Sequence, residues 1–249
     1  MIELFVLLLA FLASSAGSVL GVGGGFVFVP VSTNLLSIPH NTAVPTSLSM
    51  VLSNSVSATW TRASKNMLKP KSNFWLAIVA VPAAVLGSYV GMILDAGVFK
   101  QLFGFFLLTS AFLVKIVGQS RRGNHIQQPE AFKVGSTVLA AGFLSALLGV
   151  GGGIIMTPMF MIWGRMGPHE SVGLSQFVTM FNAAAGITSY ISLGFFEPVY
   201  FLAGALAGFV GGMVGSRIEI ALPDKQLRNI IVTGFSLIGI WMISSGFLH

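Results

Sequence analysis

The sequence has very few charged side chains. Only 8% of its 249 residues are Asp, Glu, Lys or Arg, whereas a soluble domain carries about 25%. Seven stretches contain no charge at all: 4–61, 72–94, 101–114, 134–164, 171–196, 198–216 and 229–249. A water-soluble chain of this length cannot hide so much apolar surface. The scarcity of charge therefore excludes a soluble protein and predicts an integral membrane protein.

Cysteine is absent, which excludes disulfides, iron–sulfur ligation and cysteine nucleophiles. The alternation that a membrane β-barrel requires is also missing, because runs such as 103–114 are apolar on every face. The net charge of +6 comes from basic residues in short loops, as the positive-inside rule produces, so no nucleic-acid partner is expected. The predicted fold class is an all-α polytopic membrane protein with about eight to ten transmembrane or re-entrant segments.

A glycine-rich motif occurs twice. Gly21-Val22-Gly23-Gly24-Gly25 recurs as Gly149-Val150-Gly151-Gly152-Gly153, 128 residues later, and Pro30 recurs as Pro158 at the same offset. Further ordered matches are His40 with His169, Asn54 with Asn182, Trp60 with Tyr190, Pro70 with Pro198, Gly87-x-x-x-Gly91 with Gly211-x-x-x-Gly215, and Lys100-Gln101-Leu102 with Lys225-Gln226-Leu227. Such order indicates a duplication. The predicted division is a first repeat at 1–118, a cytoplasmic linker at 119–131 and a second repeat at 132–249.

Each predicted repeat contains five apolar segments. They cover 2–20, 22–38, 42–60, 72–94 and 98–117 in the first repeat and 133–149, 151–164, 171–192, 197–216 and 226–247 in the second. The loops 61–71 and 115–133 are basic and are expected in the cytoplasm, whereas 193–197 contains Glu197 and no base and is expected outside. An odd number of segments makes the second repeat start from the opposite side. The sequence therefore predicts inverted topology with the N-terminus outside.

The twin glycine motifs are the first candidate binding site. Glycine lets the backbone approach a ligand closely, and a helix that begins there presents unpaired N–H groups to an anion. Segment 151–164 extends only roughly 21 Å, less than the ~30 Å hydrocarbon core, so broken or re-entrant helices are expected there and at 22–38. The predicted ligands are Gly23, Gly24, Gly25, Gly151, Gly152 and Gly153. The alternative is tight helix packing through small residues.

Polar residues on the third segment of each repeat are the second candidate site. They are Thr46, Ser47, Ser49 and Asn54 in the first repeat and Ser175, Gln176, Thr179 and Asn182 in the second. Hydroxyl and amide groups donate to an oxyanion without placing a fixed charge in the bilayer. The alternative is that these groups join helices to one another.

Several ionisable residues bear on mechanism. His40, His169 and Arg165 are candidate gating residues, with interfacial caps and topology anchors as the alternatives. Arg62, at the end of a predicted segment, is likewise expected to be a topology anchor. All seven acidic residues lie at or near segment ends, where carboxylate-based coupling is uncommon. The segments expected to hold an anion therefore contain no fixed countercharge.

The order of these motifs resembles a known family. Gly23-Gly24-Gly25-x4-Pro30 is followed by Ala43-x-x-Thr46-Ser47, and the glycine motif returns as Gly151-Gly152-Gly153-x4-Pro158. This arrangement, over nearly the whole chain, looks like the TauE/SafE family of sulfite exporters. The resemblance implies export of sulfite, sulfonates or related organosulfur anions.

The predicted function is export of a small sulfur-containing oxyanion by alternating access between two repeats in the inner (cytoplasmic) membrane. An anion channel fits the duplicated fold too, and saturable, slow flux would separate the two. An intramembrane enzyme is the second alternative, but the sequence offers no His-Glu-x-x-His motif and no intramembrane Asp pair. The expected partners are the anionic substrate and the lipid bilayer, with a homodimer left open. No cofactor, metal or catalytic residue is expected.

Overall fold

The computed structural model describes residues 2–67, 70–91 and 131–246, together with isolated helical residues between 101 and 115. The predicted linker 119–131 lies outside the described residues except for its last residue, and the predicted segment 98–117 is described only in part. The predicted match of residues 100–102 with residues 225–227 also falls largely outside them.

The described residues form helices and no strand, so the predicted all-α class is confirmed. Nine helices are present in this part of the chain: α1 (Ile2–Leu20), α2 (Gly25–Asn34), α3 (His40–Ala63), α4 (Pro70–Gly91), α5 (Ala131–Leu148), α6 (Gly153–Ile162), α7 (Pro168–Ser192), α8 (Pro198–Ala221) and α9 (Asp224–Gly246). Their bounds fall close to the predicted apolar segments because glycine and proline punctuate both.

Helices α2 and α6 are too short to cross a bilayer. Each has 10 residues, or about 15 Å at 1.5 Å per residue, against a hydrocarbon core of ~30 Å. Each is preceded by a glycine in the left-handed conformation, with φ of 91° at Gly24 and 73° at Gly152. The chain turns back at this point, because Gly24 lies against Ala13 and Ser14 of α1. The glycine motifs therefore break the path of the chain inside the helical body.

The backbone repeats its unusual conformations at a fixed interval. Ten residues in the described part of the chain have positive φ, and each has a counterpart 128 residues away. The pairs are Gly21 with Gly149, Gly23 with Gly151, Gly24 with Gly152, Ser37 with Arg165, and Asn66 with Gly194. Positive φ is uncommon for residues other than glycine, so the match extends to loops that share no residue type.

The fourth helix of each half packs against the other half. Helix α8 packs most extensively on α1 and α3, α4 packs on α5 and α7, and α3 crosses α7. Glycines allow the close approach: a β-carbon at Gly212 would lie 2.7 Å from the α-carbon of Asn54, and one at Gly208 would overlap the carbonyl of Met50. Ser14 Oγ donates to the carbonyl of Gly208 at 2.9 Å. Small residues and interhelical hydroxyl bonds are the usual joints between membrane helices.

Polar and apolar side chains are distributed opposite to the pattern of a soluble protein. Serines and threonines of α1, α3 and α7 are buried, while large side chains such as Leu4, Leu86 and Leu206 are more than half exposed. An apolar outer surface of this kind suits lipid. By length and apolarity alone, two described helical stretches meet the requirement for a membrane span, Phe74–Gly91 and Pro198–Ala221, with mean hydropathies of 1.9 and 1.6.

Candidate functional site

The two glycine motifs meet at the centre of the described structure. A β-carbon at Gly25 would overlap the carbonyl oxygen of Gly149, and one at Gly153 would overlap the carbonyl oxygen of Gly21. The two contacts are reciprocal, since each joins the first helical residue after one motif to the first glycine of the other. Only glycine leaves room for two backbones to approach this closely. The starts of α2 and α6 therefore lie side by side.

Hydroxyl groups of the crossing helices fix the carbonyls of both motifs. Ser47 Oγ of α3 donates to the carbonyl of Gly149 at 2.6 Å, and Ser175 Oγ of α7 donates to that of Gly21 at 3.0 Å. Thr179 Oγ1 donates to the carbonyl of Gly151 at 2.5 Å. Three of the predicted site residues are thus brought to the motifs. They saturate the carbonyl side of the backbone and leave the N–H side for another partner.

Two positive helix ends converge where the motifs meet. The first N–H groups of a helix have no acceptor within it, and neither Gly24 nor Gly152 supplies a capping side chain. The first bonds made back to these glycines come from Val27 and Ile155. Each helix start also carries the positive end of the helix dipole. Two such ends side by side favour a shared anion, which makes this an arrangement able to receive a small oxyanion.

Unpaired polar groups collect in the second half. Asn182 is fully buried and neither its Nδ2 nor its Oδ1 has a hydrogen-bond partner; Gln176 Nε2 and Ser145 Oγ are likewise unpaired. Asn182 follows Ser175 by seven residues and so lies on the same face of α7. Buried amides without partners are rare in folded proteins because each costs about 1–3 kcal/mol. These groups offer donors to a ligand.

The corresponding asparagine of the first half is already paired. Asn54 Nδ2 donates to the backbone carbonyl of Ser14 at 2.8 Å and to its Oγ at 2.5 Å. The position that corresponds to Ser14 in the second half is Gly142, which has no hydroxyl. This difference in sequence accounts for the unpaired state of Asn182. The two halves are therefore alike in backbone and different in polar equipment.

The remaining predicted residues lie elsewhere. Thr46 Oγ1 donates to Thr42 within its own helix at 2.8 Å, and Ser49 Oγ contacts the carbonyl of Phe201 on α8 at 3.0 Å. These contacts join helices, which is the alternative given above. Arg165 is exposed in the loop after α6 and has a φ of 52°, and His40 begins α3. The structure brings neither of them to the motifs.

A small cavity lies beside the second motif. It is lined by Leu144, Ser145, Leu148, Val150, Gly152, Ile154 and Ile155, and its volume is about 20 Å³. A space of this size holds one water molecule and is too small for a sulfur oxyanion. The second motif is therefore closed in this conformation.

A buried ionic cluster was missed by the sequence analysis. Arg62 Nη2 lies 2.6 Å from Glu219 Oε2, and His169 Nδ1 lies 2.6 Å from the other carboxylate oxygen, Oε1. Side-chain exposure is 2% for Arg62 and 0% for Glu219. His169 Nε2 lies 3.0 Å from the carbonyl of Leu222 and 3.3 Å from Asp224 Oδ1. The cluster ties the end of α3 to the end of α8 and the start of α7.

The expectations for Arg62 and for fixed charge are corrected by this cluster. Arg62 lies in the last turn of α3, which runs to Ala63 rather than ending at residue 60, and it is buried and paired instead of anchoring an exposed loop. His169 lies in the first turn of α7 and bonds a carboxylate. A helix of the candidate site therefore does carry a fixed positive charge. The only sequence signal was a lone Glu219 close to an apolar run.

Serine hydroxyls at the motifs are expected to contribute equally in the two halves. Ser47→Ala and Ser175→Ala each leave one buried glycine carbonyl without its donor, so each should lower the free energy of unfolding by about 1–3 kcal/mol. Thermal unfolding in detergent measures the effect. Ser136→Ala is the matched control, because this exposed hydroxyl bonds only within its own helix; a loss there equal to the others would contradict the assignment.

Comparisons with known proteins agree with this architecture. Residues 6–242 match the model of the family described as sulfite exporter TauE/SafE. The chain is 25% identical to the probable membrane transporter protein YunE of Bacillus subtilis, over 97% of this chain and 98% of that protein. It is 24% identical to the probable membrane transporter protein MJ0441 of Methanocaldococcus jannaschii, over 96% and 94% of the two chains. No solved structure matches it significantly. The chain belongs to the sulfite exporter TauE/SafE family of membrane transporters and is not an enzyme.

Proposed function

We propose that this protein exports a small sulfur-containing oxyanion, such as sulfite or a sulfonate, across the inner membrane. The anion binds between the starts of α2 and α6, where backbone N–H groups and the amides of α7 receive it. The observation that carries the proposal is the convergence of two positive helix ends beside the unpaired Asn182. Because no ionised carboxylate lies at the motifs among the described residues, an anion meets no repulsive charge there.

We infer that transport proceeds by alternating access between two inverted repeats, 1–118 and 132–249. Reciprocal contacts support this: Gly25 meets Gly149 as Gly153 meets Gly21, as expected for two halves related by a pseudo-two-fold axis. The exchange of α4 and α8 between the halves has the same symmetry. In transporters built from inverted repeats, the substrate lies at the repeat interface near half-helix starts, and one repeat moves against the other.

The membrane potential is sufficient to drive this export. Moving one negative charge outward through 100 mV, inside negative, releases about 2.3 kcal/mol. A divalent anion releases twice that amount. Export of this kind needs no coupled ion.

Flux measurements in proteoliposomes test the substrate class. Purified protein should carry sulfite, and competition by thiosulfate, sulfoacetate, sulfate and chloride should rank the anions. We expect saturable, slow flux of at least one sulfur oxyanion, because each turnover requires a conformational change. Flux that never saturates would favour a channel. If no sulfur oxyanion moves or stabilises the protein, the substrate proposal is wrong.

Asn182→Leu is expected to separate binding from stability. Asn182 makes no hydrogen bond in the closed structure, so an apolar side chain of similar size should raise the free energy of unfolding by about 1–3 kcal/mol. The same change removes a ligand, so the apparent affinity for sulfite should fall. Thermal unfolding and flux on one preparation give both values. Asn54→Leu is the control, because it breaks bonds to Ser14 and should destabilise the protein.

A further inference from the structure

Polar groups form a row between the glycine motifs and the ionic cluster. Ser55, Thr59 and Arg62 are spaced four and three residues apart, so they share one face of α3. Ser55 Oγ donates to Gln176 Oε1 on α7 at 2.9 Å. Thr59 Oγ1, Arg62 Nε and Gln176 Nε2 are buried and have no partner. We name these four residues the polar row; a desolvated anion could move along it.

The corresponding positions of the other half are apolar. Residues 128 positions after Ser55, Thr59 and Arg62 are Ala183, Ile187 and Tyr190, and all three are buried. The position 128 residues before Gln176 is Leu48, which is also buried. Tyr190 Oη lies 3.0 Å from where a β-carbon of Gly91 would be, so a neutral pair replaces the ion pair. Only one end of the α3–α7 interface is therefore polar.

The ion pair closes the polar end. Both carboxylate oxygens of Glu219 are used, one by Arg62 and the other by His169. A buried ion pair contributes little net stability compared with apolar residues, since desolvation offsets the attraction. Its retention here calls for another role. The guanidinium fork binds carboxylates and oxyanions in the same way, so Glu219 occupies the place that a small oxyanion could take.

We propose that Arg62 is an anion-entry site at the cytoplasmic end, and that Glu219 blocks it in the closed protein. An incoming oxyanion displaces Glu219 from Arg62 and then passes along the polar row to the glycine motifs. His169 retains the displaced carboxylate. The basic loop 61–71, expected in the cytoplasm, places this end on the side from which an exported anion arrives. This inference rests on the proposed export function for the anion and its direction.

Single-cysteine labelling tests the entry site without background, because the chain contains no cysteine. Thr59→Cys is introduced into the natural sequence and into Glu219→Gln, and inside-out vesicles are treated with a membrane-impermeant thiosulfonate. We expect labelling about tenfold faster or more in Glu219→Gln, because the closed state loses its ion pair. Sulfite should slow labelling in Glu219→Gln, and adding Arg62→Gln should abolish that protection.

Two control positions keep the experiment interpretable. Ser64→Cys, which is exposed, should react equally in both backgrounds, and Ile187→Cys, on the apolar side, should remain unreactive in both. Glu219→Asp provides a milder variant if Glu219→Gln does not fold. Equal labelling at position 59 in folded proteins, or protection by sulfite that persists without Arg62, would overturn the entry site.

The two proposals fail in different ways. If no sulfur oxyanion is carried but Glu219→Gln still exposes position 59, the export function is wrong and the gate remains. If sulfite flux is normal and labelling is unchanged, the gate is wrong and the export function remains.

Discussion

Gly153→Ala and Gly25→Ala are each expected to abolish transport and to destabilise the protein. The added β-carbon would overlap a backbone carbonyl, that of Gly21 in one case and that of Gly149 in the other. A backbone cannot rotate away as a side chain can, so the two motifs must separate. Overpacking of this kind costs about 1–3 kcal/mol, and sometimes more. Sulfite flux and thermal unfolding of each variant measure the two effects.

Gly135→Ala is the matched control for these variants. Gly135 lies inside α5, and an added β-carbon would meet only the ring of Trp75, at an ordinary 3.5 Å. Alanine is favoured over glycine within a helix by about 1 kcal/mol. This variant should therefore transport normally and be slightly more stable. Normal flux in Gly25→Ala and Gly153→Ala would show that the contact between the motifs is not needed for transport.

Glu219→Leu is expected to cause the largest loss of stability of any single substitution considered. Arg62 would keep its charge in a buried position, with only the carbonyl of Ala58 at 3.3 Å as a partner of Nη1. Removing one partner of a buried ion pair costs about 3–5 kcal/mol. Unfolding in detergent, followed by heat or denaturant, gives the value.

The double variant Arg62→Met with Glu219→Leu separates the pair from its surroundings. Replacing both charges by apolar residues is often neutral or stabilising, so most of the lost stability should return. If Arg62 is the entry site, transport should not return with it. A double variant as unstable as Glu219→Leu would mean that the cluster matters for packing rather than for charge.

The duplication could be predicted in detail because glycine and proline report on the backbone. The offset of 128 between Gly23 and Gly151 predicted where positive φ recurs, and it held in the loops at Ser37 and Arg165, which share no residue type. The positions of the short helices followed from the same motifs. The inverted orientation of the repeats rests on loop charge and segment parity and stays a prediction.

The polar contacts could not be predicted from spacing alone. Arg62 and Glu219 are 157 residues apart, and in the sequence Arg62 lies among Lys65, Lys69 and Lys71 as topology signals do. Periodicity places a residue on a helix face but does not identify the helix opposite. Thr46 and Ser49 show the same limit, since they share a helix with Ser47 yet contact their own helix and α8.

Crystals grown with selenite, which replaces the sulfur of sulfite by selenium, test the central claim most directly. Anomalous scattering locates selenium without reference to any expected contact. The account predicts a peak within hydrogen-bond distance of the N–H groups that begin α2 and α6, on the side of Asn182. A peak elsewhere in the protein, for an anion that competes with sulfite in flux measurements, would contradict the placement of the site.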